Sequence, residues 1–147
     1  MEEETRPYRH KLSLRLRHPR ARLESCTEQF GLEPLRQWSV GERRTSPRAA
    51  PLPGVWQDSY WTAPLEIVQG GSLEEDLERV TAWLEQHSGY LLQHRQSGGS
   101  AELFVGFFLE GFNAGFALRP QLLSAFANLG VALDFDMYGP SDQPHAP

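Results

Sequence analysis

Residues 119–139 read RPQLLSAFANLGVALDFDMYG, and this stretch decides how the chain is built. Pro120 suits the first turn of a helix. Leu122, Phe126 and Leu129 recur on one helical face, and Gly130 suits the helix end. Beyond that glycine the period changes to two. Val131, Leu133, Phe135 and Met137 point one way, while Ala132, Asp134, Asp136 and Tyr138 point the other. A helix that hands over to a half-buried strand is a unit of a domain with helices packed on a sheet.

The same two periods recur upstream. From Tyr8, Leu12, Leu14 and Leu16 alternate with Arg9, Lys11, Ser13, Arg15 and Arg17, which predicts a first strand with one basic face. Pro19, the apolar spacing of Leu23, Cys26 and Phe30, and Gly31 predict a helix over about 19–30. LRQWSVG (35–41) reads as a second strand, ERRTSPRAAPLPG (42–54) as loop, and VWQDSYWT (55–62) as a third strand. After Gly70-Gly71, Ser72 and Glu75 form a capping box, and Glu74 and Asp76 favour the positive helix end. Leu73, Leu77, Val80, Leu84 and Leu91 mark its apolar stripe, so a helix should run from 73 to about 87, with Gly89 interrupting. SGGS (97–100) reads as a flexible joint. AELFVGFFLE (101–110) is apolar on both faces and predicts a central strand. FNAGFAL (112–118) would be its hairpin partner. A two-residue turn at Glu110-Gly111 would set residue 109 against 112 and Gly106 against Gly115, and a longer loop through Asn113 is the alternative.

The predicted order is βαβ-βαβ-βαβ. It describes an α+β fold with a largely antiparallel sheet of about six strands, three helices and ferredoxin-like elements. Residues 8–139 form the expected single domain, with residues 1–7 and 140–147 as flexible ends.

Composition narrows the class. The chain has 147 residues, 39% hydrophobic and 22% charged, which is globular and large enough for a core without staples. A single cysteine, Cys26, excludes an internal disulfide framework. No apolar run reaches the length of a membrane span. The opening MEEETRPYRHK has no apolar core of a secretory signal. These features predict a cytoplasmic protein. The net charge of −5 is unevenly spread: residues 1–48 carry 11 Lys/Arg against 7 Asp/Glu, and residues 49–147 carry 3 against 12. Such a split can steer a charged partner or hold the two halves of a fold together.

The succession YRHKLSLRL, FGLEP, W…VG, GVWQDSYW, SLEEDLERVTAWL and FALRPQLLSAFANLGVALDFDMYG resembles the bacterial domain-of-unknown-function family 4279, over about residues 8–139. The resemblance implies a bacterial, stand-alone α/β domain. It implies no activity and no catalytic residues.

Asp134 and Asp136 are the first candidates for chemistry. They lie on the non-core face of their strand, as Arg9, Lys11, Arg15 and Arg17 do on theirs. If the first and last strands are neighbours, these charges answer each other across the sheet. A solvated face is the plainer alternative. A metal or acid/base pair would need further carboxylates, for which Glu102 and Glu110 are candidates. Six cations and no acid lie between Arg9 and Arg22, but no aromatic interleaves with them and no nucleic-acid-binding signature appears. Nucleic acid is not an expected partner. Cys26 lies on an apolar stripe and reads as an inert buried thiol. His87 and His94 are seven apart, without a zinc motif. No nucleophile elbow, phosphate loop or dinucleotide fingerprint is present. No metal, cofactor or catalytic residue is assigned.

The aromatics give the remaining signal. Trp38, Trp56, Tyr60 and Trp61 fall in the middle strands, and alternation sends Trp56 and Tyr60 to the face opposite Trp61. One set must leave the helix-covered core or lie under the 43–53 loop. Trp, Tyr and Arg dominate protein-recognition sites. The expectation is therefore a non-enzymatic, protein-binding domain, in its sharper form an immunity or antitoxin-like inhibitor of a neighbouring toxin. Its partner-binding residues would be Trp56, Asp58, Tyr60, Asp134 and Asp136. The alternative is a small-molecule or metal-dependent protein, with a site near the last strand and the 101–118 hairpin, where Gly106 and Gly115 leave room. The sequence leaves oligomeric state open.

Overall fold

A computed structural model describes residues 7–68 and 70–140. The ends expected to be flexible, 1–7 and 140–147, lie almost wholly outside the described residues.

The described chain runs β1 (Tyr8–His18), α1 (Ser25–Phe30), β2 (Arg36–Trp38), β3 (Arg43–Thr45), β4 (Pro51–Val55), β5 (Ser59–Leu65), α2 (Leu73–Glu85), α3 (Ser88–Gln96), β6 (Ser100–Leu109), α4 (Pro120–Leu129) and β7 (Val131–Tyr138). This is an α+β fold with seven strands and four helices rather than six and three. β2, β5, β1, β6 and β7 form one sheet in that order, and β3 pairs only with β4. Every junction of the large sheet is antiparallel except β6/β7. The expected βαβ-βαβ-βαβ order fails because the β3–β4 hairpin is inserted before β5, the second helix divides into α2 and α3, and the strand expected over 112–118 does not form between β6 and α4.

β1 sits at the centre because it carries the longest clean alternation. Its inward Leu12, Leu14 and Leu16 are at most 2% exposed. Each such leucine contributes about 1.5–3 kcal/mol of burial. They meet Trp61 and Ala63 of β5, Leu103, Val105 and Phe107 of β6, and the buried faces of all four helices in one core cluster. The helices thus share one side of the sheet. β7 is not beside β1, since β6 lies between them. The expected neighbourhood of first and last strands is therefore wrong, although the parity that placed their charges on one common face is right.

Several elements depart from their expected bounds for local reasons. The first helix starts at Ser25 rather than near 19. The His18 ring captures the chain instead, its Nδ1 accepting the N–H groups of Arg20 (3.0 Å) and Ala21 (2.8 Å). α2 has its expected cap, with Ser72 Oγ accepting the Glu75 N–H at 3.1 Å. It breaks at Gln86–His87, not at Gly89, which lies inside α3. There the His87 ring packs 4.9 Å from Phe30 and 5.2 Å from Trp83, and Nδ1 bonds Gln29 at 3.0 Å. SGGS forms a close turn rather than a joint: a Cβ on Gly99 would meet the His94 ring at 2.3 Å. β6 has no hairpin partner. Residues 110–119 form no strand and fold back so that Phe116 contacts Phe107 (5.2 Å) and Phe135 (5.4 Å). Gly106 and Gly115 therefore do not face each other. The predicted 42–54 loop contains the β3–β4 hairpin. α4 and β7 follow the expected bounds, with Gly130 at φ 70° closing the helix.

His18 supplies a pH prediction. Its ring is almost fully buried, with Nε2 bonded to Ser97 Oγ at 2.9 Å. Burial first, then the neighbouring His94 and Arg20, hold its pKa below the ordinary 6.5. The unfolded chain therefore takes up a proton before the folded one does. The stabilisation is full above pH 6.5 and is lost as pH falls through the lowered value. Urea unfolding at a series of pH values from 7.5 downward should show stability decreasing with acidity. His18→Gln should flatten that slope, and an unchanged slope would contradict this role.

Candidate functional site

Alternation in β5, β1, β6 and β7 sends a second set of side chains to the sheet face away from the helices. Among the described residues no helix covers it, because the buried residues of α1 to α4 belong to the core on the opposite side. At one end of this face lies an aromatic stack. The Trp38 and Trp56 rings are 3.7 Å apart and 8° from parallel, and Trp38 lies 4.5 Å from Tyr60. Trp56 is positioned by backbone. Its N–H donates to Glu42 C=O and its C=O accepts from Gly41 N–H, both at 2.9 Å. The β3–β4 hairpin thus lays an indole over β2. Tyr60 is buried yet outside the core cluster. The expectation that one aromatic set leaves the core therefore holds: Trp61 faces the helices, and Trp56 and Tyr60 do not.

Guanidinium groups line the stack. Arg36 lies 4.8 Å over Trp38, Arg44 5.5 Å over Trp56 and Arg17 4.3 Å over Tyr60. Asp58 accepts from Arg17 at 3.4 Å. A groove of about 420 Å³ opens here, lined by Arg17, Trp38, Arg44, Trp56 and Asp58. Toward the sheet centre, Arg15 lies 3.8 Å over the Phe104 ring and 3.7 Å from Glu102. Arg9 is paired with Glu110, and Phe108 stacks on Tyr138 at 4.9 Å. At exposed sites each cation–π contact is worth about 0.5–1 kcal/mol.

Asp134 and Asp136 share this face but not the predicted partners. The β1 arginines are answered by Glu110, Glu102 and Asp58, while Lys11 lies 6.0 Å over the Phe108 ring. The Glu102 carboxyl, when protonated, donates to Asp134, and Asp136 accepts from Tyr138 Oη. Burial, then the bond to Asp134 and its charge, push Glu102 above the usual carboxylate range, while Arg15 and Arg17 pull it back. Trp56, Asp58 and Tyr60 form one group. Asp134 and Asp136 form another, on β7, three strands across from Tyr60 and four and six residues further along, roughly 20–25 Å away. Arg15, Phe104 and Glu102 lie between them.

Two donors on this face are buried without an acceptor among the described residues, Trp38 Nε1 and Arg15 Nε. Neither belongs to the partner-binding set predicted from sequence. Phe104 and Phe108, apolar at outward positions of a strand, were the available signal for the central part of the patch.

Elsewhere the candidates settle as structure. Cys26 is fully buried, its thiol pushed up by burial and 3.3 Å from Tyr90 Oη. The same burial, with the Cys26 bond, raises Tyr90 to about 12. The space beside Gly106 is filled, since a Cβ there would touch the Phe108 ring at 3.3 Å. Among the described residues no three His, Cys, Asp or Glu side chains are grouped to hold a metal ion. A buried pair that sequence reasoning missed is His10 with Asp76, Nε2 to Oδ2 at 2.6 Å. The signal was a polar residue at a core position on each element.

The family model described as Domain of unknown function (DUF4279) matches residues 6–140. No curated protein and no solved structure matches the chain. No helix among the described residues is long and apolar enough to cross a membrane.

Proposed function

The chain belongs to the DUF4279 family, and from its uncovered sheet face we propose that it is a non-enzymatic domain that binds another protein. The observation that carries this reading is the uncovered sheet face on which Trp, Tyr and Phe rings are stacked with arginines. Aromatic and arginine side chains with their lower parts packed are the usual anchors of protein recognition. The sharper form is an immunity or antitoxin-like inhibitor, acting in the bacterial cytoplasm on a toxin encoded beside it. On this face Asp134 and Asp136, which stand outside the ion pairs of the β1 arginines, suit a basic toxin surface.

The test is capture from the native host with tagged protein. Wild type should recover one protein partner at near-stoichiometric yield. Trp56→Ala, at a half-exposed position, should keep its thermal midpoint within a few degrees. It should weaken the complex by about 2 kcal/mol or more, roughly thirtyfold. Gln121→Ala, on the helix side, should capture as wild type does. Recovery of no protein, or equal capture by Trp56→Ala, would remove the reading.

A further inference from the structure

β7 is an edge strand. Among the described residues nothing pairs with its outer side, whereas the opposite edge, β2, has only three residues. Its eight residues offer a row of unpaired N–H and C=O groups about 26 Å long. The two sides of that edge differ. Outward stand Asp134, Asp136 and Tyr138. Inward stand Leu133 and Phe135, half-buried, and Met137, 55% exposed.

α4 extends the apolar side. Its Leu122, Phe126 and Leu129 face the sheet, and Gln121, Ser124, Ala125 and Asn128 line the cleft shared with Glu85 of α2. At 100° per residue, Leu123 and Ala127 are left to face away from α2, above the free edge of β7. Leu123 is 45% exposed there. The edge thus has an acidic side and an apolar shelf on the other.

We infer that β7 receives an added β-strand from the protein partner, one that alternates Lys or Arg with apolar residues. The cations would meet Asp134 and Asp136, the apolar residues would pack under Leu123 and Met137, and the backbone would extend the sheet. A second copy of this chain is a poor occupant. Antiparallel self-pairing centred on Phe135 sets Asp134 against Asp136, and like charges opposite one another repel. This inference rests on the protein-binding reading and names the chemistry of its acidic half.

The experiment uses the full chain and three synthetic ten-residue peptides. One alternates valine with lysine, one alternates valine with glutamate, and one is the lysine peptide N-methylated at every residue, which blocks both of its edges. The lysine peptide should bind, slow amide exchange at alternate residues of Val131–Tyr138, and lose affinity by about tenfold or more against Asp134→Lys/Asp136→Lys. That exposed double variant should in turn bind the glutamate peptide. The N-methylated peptide should not bind. Equal binding of lysine and glutamate peptides, no binding at all, or protection elsewhere than β7 would overturn the inference. Those acids would then serve only to block unwanted edge pairing. Failure of the peptides with intact, Trp56-dependent capture of a native partner would sink strand addition alone. Failure of capture with successful peptides would sink the aromatic anchor instead.

Discussion

Asp76→Ala is expected to destabilise the protein by about 3–5 kcal/mol, the usual effect of removing one member of a buried pair. Asp76 and His10 are each at most 5% exposed, and their Oδ2–Nε2 contact is 2.6 Å. Arg79 closes on the same carboxylate from the next turn, and the Val68 N–H points at Oδ1 from 3.5 Å. The carboxylate therefore ties β1, α2 and the segment before α2 to one point. Alanine would remove that acceptor from all of them and leave a void beside His10. For a chain of this size each kcal/mol moves the thermal midpoint by about 2–4 °C, so a fall of roughly 6–20 °C is expected. Asp76→Asn should lose less, because an amide oxygen still accepts. His10→Leu/Asp76→Leu should recover much of the loss, because replacing both members of a buried hydrogen-bonded pair by apolar groups can be nearly neutral. A loss under about 1 kcal/mol for Asp76→Ala in urea unfolding would show that the pair is not a structural anchor.

Trp61→Ala should cost a similar amount, about 3–5 kcal/mol, by a different route. Trp61 is 0% exposed on the inner face of β5, opposite Leu16 of β1 and Gln37 of β2. Its ring lies 5.8 Å from Phe30, and its Nε1–H donates to Thr27 Oγ1 at 3.0 Å. Truncation would empty the space between the sheet and α1 and leave the Thr27 hydroxyl without that donor. Trp61→Phe keeps most of the volume and should lose closer to the value of one hydrogen bond, about 1 kcal/mol plus a smaller cavity term. The contrast with Trp56 is informative. Two tryptophans five residues apart should separate cleanly, one governing stability and the other partner capture.

Those roles were partly legible in the residues. Period two in β1 and β7, the capping box at Ser72, and the proline-to-glycine frame of α4 all act locally, so the sequence carries them directly. The parity that sent Tyr60 away from Trp61 is local too, and so is the outward placement of Asp134 and Asp136; Trp56 lies before β5, where the expected 55–62 strand breaks, and is placed by the β3–β4 hairpin. What failed was non-local. No periodicity says that β6 rather than β7 lies beside β1. Arg15 therefore meets Glu102, which had been set aside as a metal ligand, and not the aspartates of the last strand. The β3–β4 hairpin was hidden by Pro51 and Pro53. Prolines argue against a central strand and are tolerated here because β4 belongs to a separate two-stranded sheet. The helix predicted from Pro19 lost its first turn to the His18 ring, a side-chain competitor that pattern reading does not weigh. Within the candidate site, position on the face was readable, but the partners of each charge were not.

The central claim is that the sheet face away from the helices is where the protein meets its partner. Hydroxyl-radical footprinting of the captured complex against the free protein tests it most directly. The account predicts reduced labelling of Trp56, Phe108 and Tyr138, with Trp83 and Leu92 on the helix side labelled as in the free chain. Protection of the α2–α4 surface, with the outer sheet residues labelled equally in both states, would contradict it.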